Sequence, residues 1–349
     1  MSGWLDTLIQ GVLLGGLYAL FAMGLSLIFG VMRLVNIAHG DLIVLAAYLA
    51  LVVVDATGLG PLGALAICVP VMFLLGGLYA LFAMGLSLIF GVMRLVNIAH
   101  GDLIVLAAYL ALVVVDATGL GPLGALAICV PVMFLLGYAL QRGLLNFTLG
   151  GDILPPLLVT FGLSIIIQNA LLQGFSADPR ALRLGGFETG SFHLGAGISV
   201  GYFPLLVLGV AIALAFALEL LFARIPLGHA FRATSDDPEA VQLMGVNDRH
   251  VYGLAMGIAL AIVAVAAVFY GIRTTFAPTD GPDRLLFAFE AVIIGGLGSF
   301  WGTLAGGIVL GVAQAVGFRL DPGWGVLTGH LAFLAVLLFR PTGLFPRTR

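Results

Sequence analysis

Charge is what this sequence has least of. Only 9% of its 349 residues are charged, and lysine is missing altogether, so all 14 basic residues are arginine. A soluble domain carries roughly a quarter of its residues as charges. Water cannot solvate a surface this poor in charge. With 61% hydrophobic residues and a mean hydropathy of +1.18, the solvent that fits is lipid. The formal net charge of -3 says little, and no basic stretch points to nucleic acid.

Other absences narrow the field. The two cysteines, Cys68 and Cys129, are copies of one position and carry no disulfide or metal signal. The N-terminus lacks a basic n-region, so the first apolar run is expected to be a retained span rather than a cleaved signal. No G-x-x-x-x-G-K-[ST] motif is present, so any ATP has to be bound by a partner. Paired carboxylates, H-E-x-x-H and G-x-S-x-G are missing too, which argues against an intramembrane enzyme, and nothing calls for a cofactor or a metal.

What the sequence does contain is a repeat. Residues 16–76 (GLYALFAMGLSLIFGVMRLVNIAHGD…VPVMFLLG) recur letter for letter as residues 77–137, a period of 61 without a mismatch. Repeats behind solenoids or transporter halves are diverged. Two perfect copies indicate a very recent tandem duplication or an artefact of sequence assembly. The tripeptide Leu-Leu-Gly at 13–15 and 135–137 marks a crossover site, and removing one copy leaves an ancestral chain of 288 residues.

A crossing helix needs about 20 apolar residues. Qualifying runs lie near 5–31, 38–54, 99–115, 121–141, 157–173, 201–223, 251–271 and 325–339. The stretch 61–93 joins the third ancestral span to the second half of the first, with Gly76-Gly77 at its centre. We expect it to cross once, bent or broken at that glycine pair. Residues 285–318 are too long for one crossing and are interrupted by Gly295-Gly296-Leu297-Gly298-Ser299, which predicts a short helix, a turn and a second helix. Non-helical backbone at membrane depth is tolerated only inside protein or along a cavity. The expected fold is an all-α polytopic membrane bundle of about nine ancestral spans plus two from the duplication.

Arginine placement sets the expected orientation. Arg224, Arg232 and Arg249 share one loop, and Arg340, Arg347 and Arg349 crowd the C-terminus. Four crossings between them put both inside. Counting back gives nine arginines inside against five outside, with the N-terminus outside.

The inside loop, 224–250, is the most informative segment. Asp237 is a good N-cap, Pro238 suits the first helical position and Gly245 can close the C-terminus, predicting a seven-residue helix over 238–244. It reads either as a surface connector or as a rigid coupling element for a cytoplasmic motor. Gly228, Arg232, Ala233, Asp237, Pro238, Glu239, Ala240 and Gly245 are its candidate residues.

Here the chain resembles the LivH-type permeases of branched-chain (hydrophobic) amino acid ABC importers. Gly228, Arg232, Ala233, Ala240, Gly245 and Val246 match that family's loop pattern G-x-x-x-R-A, then A, then G-[IV]. Tyr18-Ala19-Leu20, Gly24-Leu25-Ser26-Leu27-Ile28-Phe29-Gly30, Asn36-Ile37-Ala38-His39-Gly40-Asp41, Gly295-Gly296-Leu297-Gly298-Ser299 and Arg340-Pro341-Thr342-Gly343-Leu344-Phe345 match as well. The resemblance spans the chain apart from the extra 61 residues. It implies an inner-membrane, heteromeric importer: two related permeases, two ATPase subunits and a periplasmic binding protein. The substrates it allows are branched-chain amino acids or, as an alternative, amides, urea or aromatic acids.

Candidate pathway residues are Asn36, His39, their repeats Asn97 and His100, and Glu290 with Gly295 and Gly296. Ionisable groups near a membrane often mark function. His39 and His100 equally suit capping of the next helix, and sequence does not say which copy holds the ancestral position. Arg180, Arg183, Arg273 and Arg284, in the outside loops 174–200 and 272–285, are either solvated charge or contacts for the acids of a binding protein. A different class, an ion-coupled secondary transporter, would need ligands at discontinuous helices near the midplane, where only Glu290 and the break at 295–302 qualify.

Overall fold

A helix apolar on every face has to be enclosed by other helices or by lipid. The first helix of the computed structural model, α1 (Leu65–Met93), is enclosed by helices: Leu81, Phe82, Met84, Leu88 and Ile89 have no exposed surface. The structure describes residues 65–93, 97–149, 154–195 and 198–345, all within the unit Gly63–Arg349. The apolar runs at 5–31 and 38–54 lie outside the described residues, as do Asn36, His39 and most of the first copy.

In chain order there follow α2 (His100–Thr118), α3 (Pro122–Gly143), α4 (Leu154–Phe175), α5 (Tyr202–Arg224), α8 (Asp248–Arg273), α9 (Gly281–Gly295), α10 (Phe300–Leu320) and α11 (Gly325–Phe339), of which α5, α8, α9 and α10 pack on α1. Two short helices, α6 (Pro226–Asp236) and α7 (Pro238–Leu243), lie between α5 and α8. Among the described residues, five helices, α2 to α5 and α8, have the length and apolarity to cross a membrane. The pair α9 and α10 is bent by 117°. At 15 residues, α9 is about 22 Å long, shorter than a hydrocarbon core of about 30 Å. The bend is made by glycine: Gly296 and Gly298 take φ of 105° and 79°. Ser299 then caps α10, its Oγ accepting from the Gly302 N–H at 3.1 Å.

Two expectations need correcting. The stretch 61–93 is neither broken nor interrupted at Gly76-Gly77: α1 runs through the pair as one helix of 29 residues. The glycines serve packing instead. A Cβ on Gly76 would overlap the Ile308 backbone of α10, one on Gly307 would lie 2.7 Å from Gly76 O, and one on Gly77 would lie 3.0 Å from the Leu208 Cα of α5. Close backbone approach of this kind replaces the hydrophobic drive that lipid does not supply. The loop expected over 174–200 contains a small antiparallel hairpin, β1 (Ser191–Gly195) with β2 (Ile198–Gly201).

The loops within residues 174–200 and 272–285 are stitched together. Arg180 and Phe276 exchange both backbone hydrogen bonds, at 2.9 and 2.8 Å, and Leu182 donates to Gly271 O at 2.8 Å. Asp280 closes the second loop by accepting from the Tyr270 hydroxyl and the Ala277 N–H. At the other end of the bundle, the tail folds back on the α9–α10 bend. Leu344 and Phe345 donate to Ile294 O and Gly295 O at 2.8 and 2.9 Å.

Candidate functional site

The segment after α5 is built around a tight reversal. Pro226 opens α6, and α6 folds back against the last turn of α5. The approach is so close that a Cβ on Gly228 would overlap the Leu221 carbonyl. Arg232 donates to the Phe222 carbonyl, and Phe231, fully buried, packs on the Phe222 ring at 5.6 Å. Phe222 in turn meets Phe300, the first residue of α10, at 5.2 Å. Thus Gly228 and Arg232 fasten α6 to the end of α5, while Ala233 is exposed. Sequence reasoning did not find α6, because its apolar positions are few.

Next comes α7. Asp237 Oδ1 accepts from the Ala240 N–H at 3.0 Å, and Pro238 occupies the first turn. The helix ends at Leu243, one residue before the expected 244. Gly245, at φ 85°, donates to Gln242 O while Val246 donates to Val241 O, the paired bonds of a Schellman stop. Val241 is buried, whereas Asp237, Pro238, Glu239 and Ala240 are exposed. The tip is unexpected: Leu243 is 91% and Met244 82% exposed. Two large apolar side chains standing clear of a polar loop were absent from the sequence-based candidates, though the pair Leu243-Met244 beside a capped helix was the signal.

Of the repeated Asn-Ile-Ala-His-Gly-Asp element, the second copy is fully built in. Asn97, His100 and Asp102 are buried. His100 does not cap α2: its Nε2 donates to the Phe82 carbonyl of α1 at 3.0 Å, and the N-cap position, Ala99, makes no side-chain cap. Asp102 accepts from Gln168 of α4 at 2.9 Å and lies against Gly281 at the start of α9. The two side chains, two residues apart, therefore serve different neighbours.

Glu290 sits in the interior of α9, 1% exposed. Its Oε1 lies 2.5 Å from His330 Nδ1 of α11. Gly295 lies against Gly302 across the bend, and a Cβ on either would overlap the other's backbone. Arg180, Arg183 and Arg273 are exposed, and the backbone bonds of Arg180 with Phe276 and of Leu182 with Gly271 join the segments that carry them. Arg284 is the exception: α9 begins at Gly281, inside the expected loop, so Arg284 is a helical residue, half-buried. Its guanidinium covers the Tyr270 ring at 4.7 Å. The Gly-Pro-Asp run that reads as a turn is here the first turn of a helix, where proline is well suited.

A bundle of apolar helices with a broken pair at its core, polar groups buried beside the break and a capped helix outside it has the build of a membrane transport subunit. The chain belongs to the family described as the branched-chain amino acid transport system permease component, whose model matches residues 7–83 and again 75–336. It is 33% identical over 286 residues to the high-affinity branched-chain amino acid transport system permease protein BraD of Pseudomonas aeruginosa, covering 78% of this chain and 92% of BraD. It is 27% identical over 296 residues to LivH of Escherichia coli, covering 78% and 92%. To the permease protein LivM of Escherichia coli it is 26% identical over 308 residues, covering 78% of this chain and 68% of LivM.

Proposed function

We propose that this chain is the permease subunit of an ATP-driven importer that moves branched-chain or other hydrophobic amino acids across a bacterial inner membrane. A second related permease completes the pathway, two ATPase subunits drive it, and a periplasmic binding protein delivers substrate. The observation that carries this reading is α7: a helix capped at both ends, fastened through α6 to α5, presenting Leu243 and Met244 to a partner. Gly228, Arg232, Ala233, Asp237, Pro238, Glu239, Ala240 and Gly245 hold this element in shape. A push from the motor subunit then reaches the bundle through Phe231, Phe222 and Phe300.

The names of BraD, LivH and LivM support the substrate class and the two-permease arrangement. The orientation proposed has this end inside. The end of α5 touches the start of α10, and the tail bonds to the neighbouring bend, which is consistent with both arginine-bearing segments facing the cytosol. Arg180, Arg183 and Arg273 then face the binding protein. The family model matches both copies, 7–83 and 75–336; we further read the second as the working one because its match continues through the rest of the chain and its Asn97, His100 and Asp102 are buried.

The test is uptake of L-leucine by vesicles carrying this chain with its partner subunits. Import is expected to require ATP and the binding protein, and to survive collapse of the proton gradient. Uptake abolished by that collapse would favour the second reading, an ion-coupled transporter, for which the broken pair α9–α10 with Glu290 is the supporting feature.

A further inference from the structure

A polar group inside a membrane bundle is costly to keep and tends to mark a route or a site. Four helices bring six such groups and rings to one place. Tyr79 of α1 donates to Gln314 Oε1 of α10 at 2.5 Å. Its ring lies 5.1 Å from that of Phe287 on α9. Phe287 stacks on His330 of α11, with centroids 6.2 Å apart and planes at 11°, and His330 meets Glu290. Toward the start of α9, Arg284 lies 5.9 Å from the Phe287 ring.

Exposure is graded across this group. Phe287, Glu290 and Gln314 are buried, whereas Tyr79, Arg284 and His330 are partly open. The cluster grades from arginine, tyrosine and histidine at a partly open rim to an acid and an amide at a buried floor. The floor has unused capacity. Gln314 Nε2 is buried without a protein partner, and so is Arg284 Nε at the rim. Turning the amide end for end leaves its other atom in the same position. Gly329 packs against Gln314, and a Cβ there would come 2.7 Å from Cγ and 3.0 Å from Nε2, so the seat of the amide depends on a residue without a side chain.

We propose that this cluster receives the zwitterionic head group of the α-amino acid during passage. Arg284 meets the carboxylate at the rim, the Gln314 amide takes it over, and Glu290 faces the ammonium. The rings of Tyr79 and Phe287 give the aliphatic side chain an apolar wall. This rests on the reading of the chain as an amino-acid permease. It adds that part of the route lies within this subunit, at the junction of α1, α9, α10 and α11. A zwitterion leaves water only where such partners replace its hydration.

The test uses the assembled complex in proteoliposomes, with L-leucine as the probe. Gln314→Leu and Glu290→Gln are expected to lower uptake roughly tenfold or more, because each leaves one charged end of the substrate unmatched. Since either change could also loosen the bundle, a second measurement reads the cluster directly. Gln314→Cys, with Cys68→Ser and Cys129→Ser, is exposed to a small water-soluble methanethiosulfonate reagent. The thiol is expected to react, and to be protected severalfold when leucine and the binding protein are present. A thiol that is unreactive in every state, or reactive but not protected by leucine, overturns the proposal. So does unchanged uptake in both Gln314→Leu and Glu290→Gln. If the unsubstituted complex imports no leucine, the underlying permease reading falls, and this proposal with it.

Discussion

Gly101 and Gly281 pack backbone against backbone at the meeting of two helix starts. A Cβ on Gly101 would overlap the Gly281 carbonyl, and one on Gly281 would overlap the Asp102 carboxylate. Overfilling a packed site costs about 1–3 kcal/mol or more, and here the obstacle is backbone that cannot step aside. Gly101→Val is therefore expected to cut the yield of assembled complex and lower its melting temperature. The identical change in the other copy, Gly40→Val, is expected to do neither if the second copy holds the working position. Equal damage from both, measured by thermal unfolding in detergent, would refute the assignment.

Deletion cannot make that distinction. The copies are identical, so removing 16–76 or 77–137 yields the same chain, 349 residues less 61, or 288. What deletion does test is whether the extra residues matter. Among the described residues the nine bundle helices α1 to α5 and α8 to α11 begin at residue 65, and in the shortened chain residues 4–15 would stand where residues 65–76 open α1. The shortened chain is expected to assemble with its partners and import leucine at least as fast as the full one. A shortened chain that fails to assemble would show that the extra segment has become part of the machine.

Much of this architecture was legible in the sequence because lipid imposes a simple rule: an apolar run of sufficient length is a helix. The ends of α2, α3, α4, α5, α8 and α11 fall within a few residues of the expected runs. The glycines at 295–298 marked the bend because only residues free to take positive φ turn so sharply. Other features were hidden for identifiable reasons. Arg284 was placed in a loop because Gly281-Pro282-Asp283 suits a turn as well as a helix start. Tyr79 and His330 sit inside apolar runs, where a single polar residue carries no signal until its neighbour is known. Gln314, the partner of Tyr79, is 235 residues away, and no local pattern connects them. Gly76-Gly77 was read as a weak point because glycine lowers helix propensity by about 1 kcal/mol; the close approach of α10 and α5 reverses its meaning.

The exposed tip of α7 gives a direct test of coupling. Leu243→Glu with Met244→Glu leaves the caps at Asp237 and Gly245 untouched, so the helix is expected to persist. The apolar pair would no longer bury itself in a partner. Losing two such anchors is expected to weaken ATPase association by about 2–4 kcal/mol. Co-purification of the ATPase subunits checks this; retention at wild-type yield would exclude α7 as the docking element. Gly245→Ala is a milder probe. It forces a Cβ into a left-handed position, at about 1 kcal/mol, and is expected to weaken the same interaction less.

The tail and the bend form one unit, and a single glycine tests it. Gly343 has φ 83° and stands so close to Gly296 that a Cβ would lie 2.5 Å from its N. Gly343→Ala is expected to detach Leu344 and Phe345 from Ile294 and Gly295. That would forfeit two backbone hydrogen bonds of about 0.5–1.5 kcal/mol each. Proteolysis after Arg340 should then accelerate. An unchanged digestion rate would show that the tail is held by something other than these bonds.

The stitched outer loops make an electrostatic prediction. The backbone bonds from Arg180 to Phe276 and from Leu182 to Gly271 tie the loop that carries Arg180 and Arg183 to the end of α8, which carries Arg273. The three arginines are exposed, and their charge is expected to steer an acidic partner. Reversing all three, with Arg180→Glu, Arg183→Glu and Arg273→Glu, is expected to slow docking of the binding protein by roughly tenfold or more at low salt. The difference should shrink as salt rises, because the screening length falls from about 30 Å at 0.01 M to about 3 Å at 1 M. Association rates measured across that range decide the matter. A deficit that persists undiminished at high salt would mean that the arginines act through shape, and rates equal to wild type throughout would remove them from the docking surface.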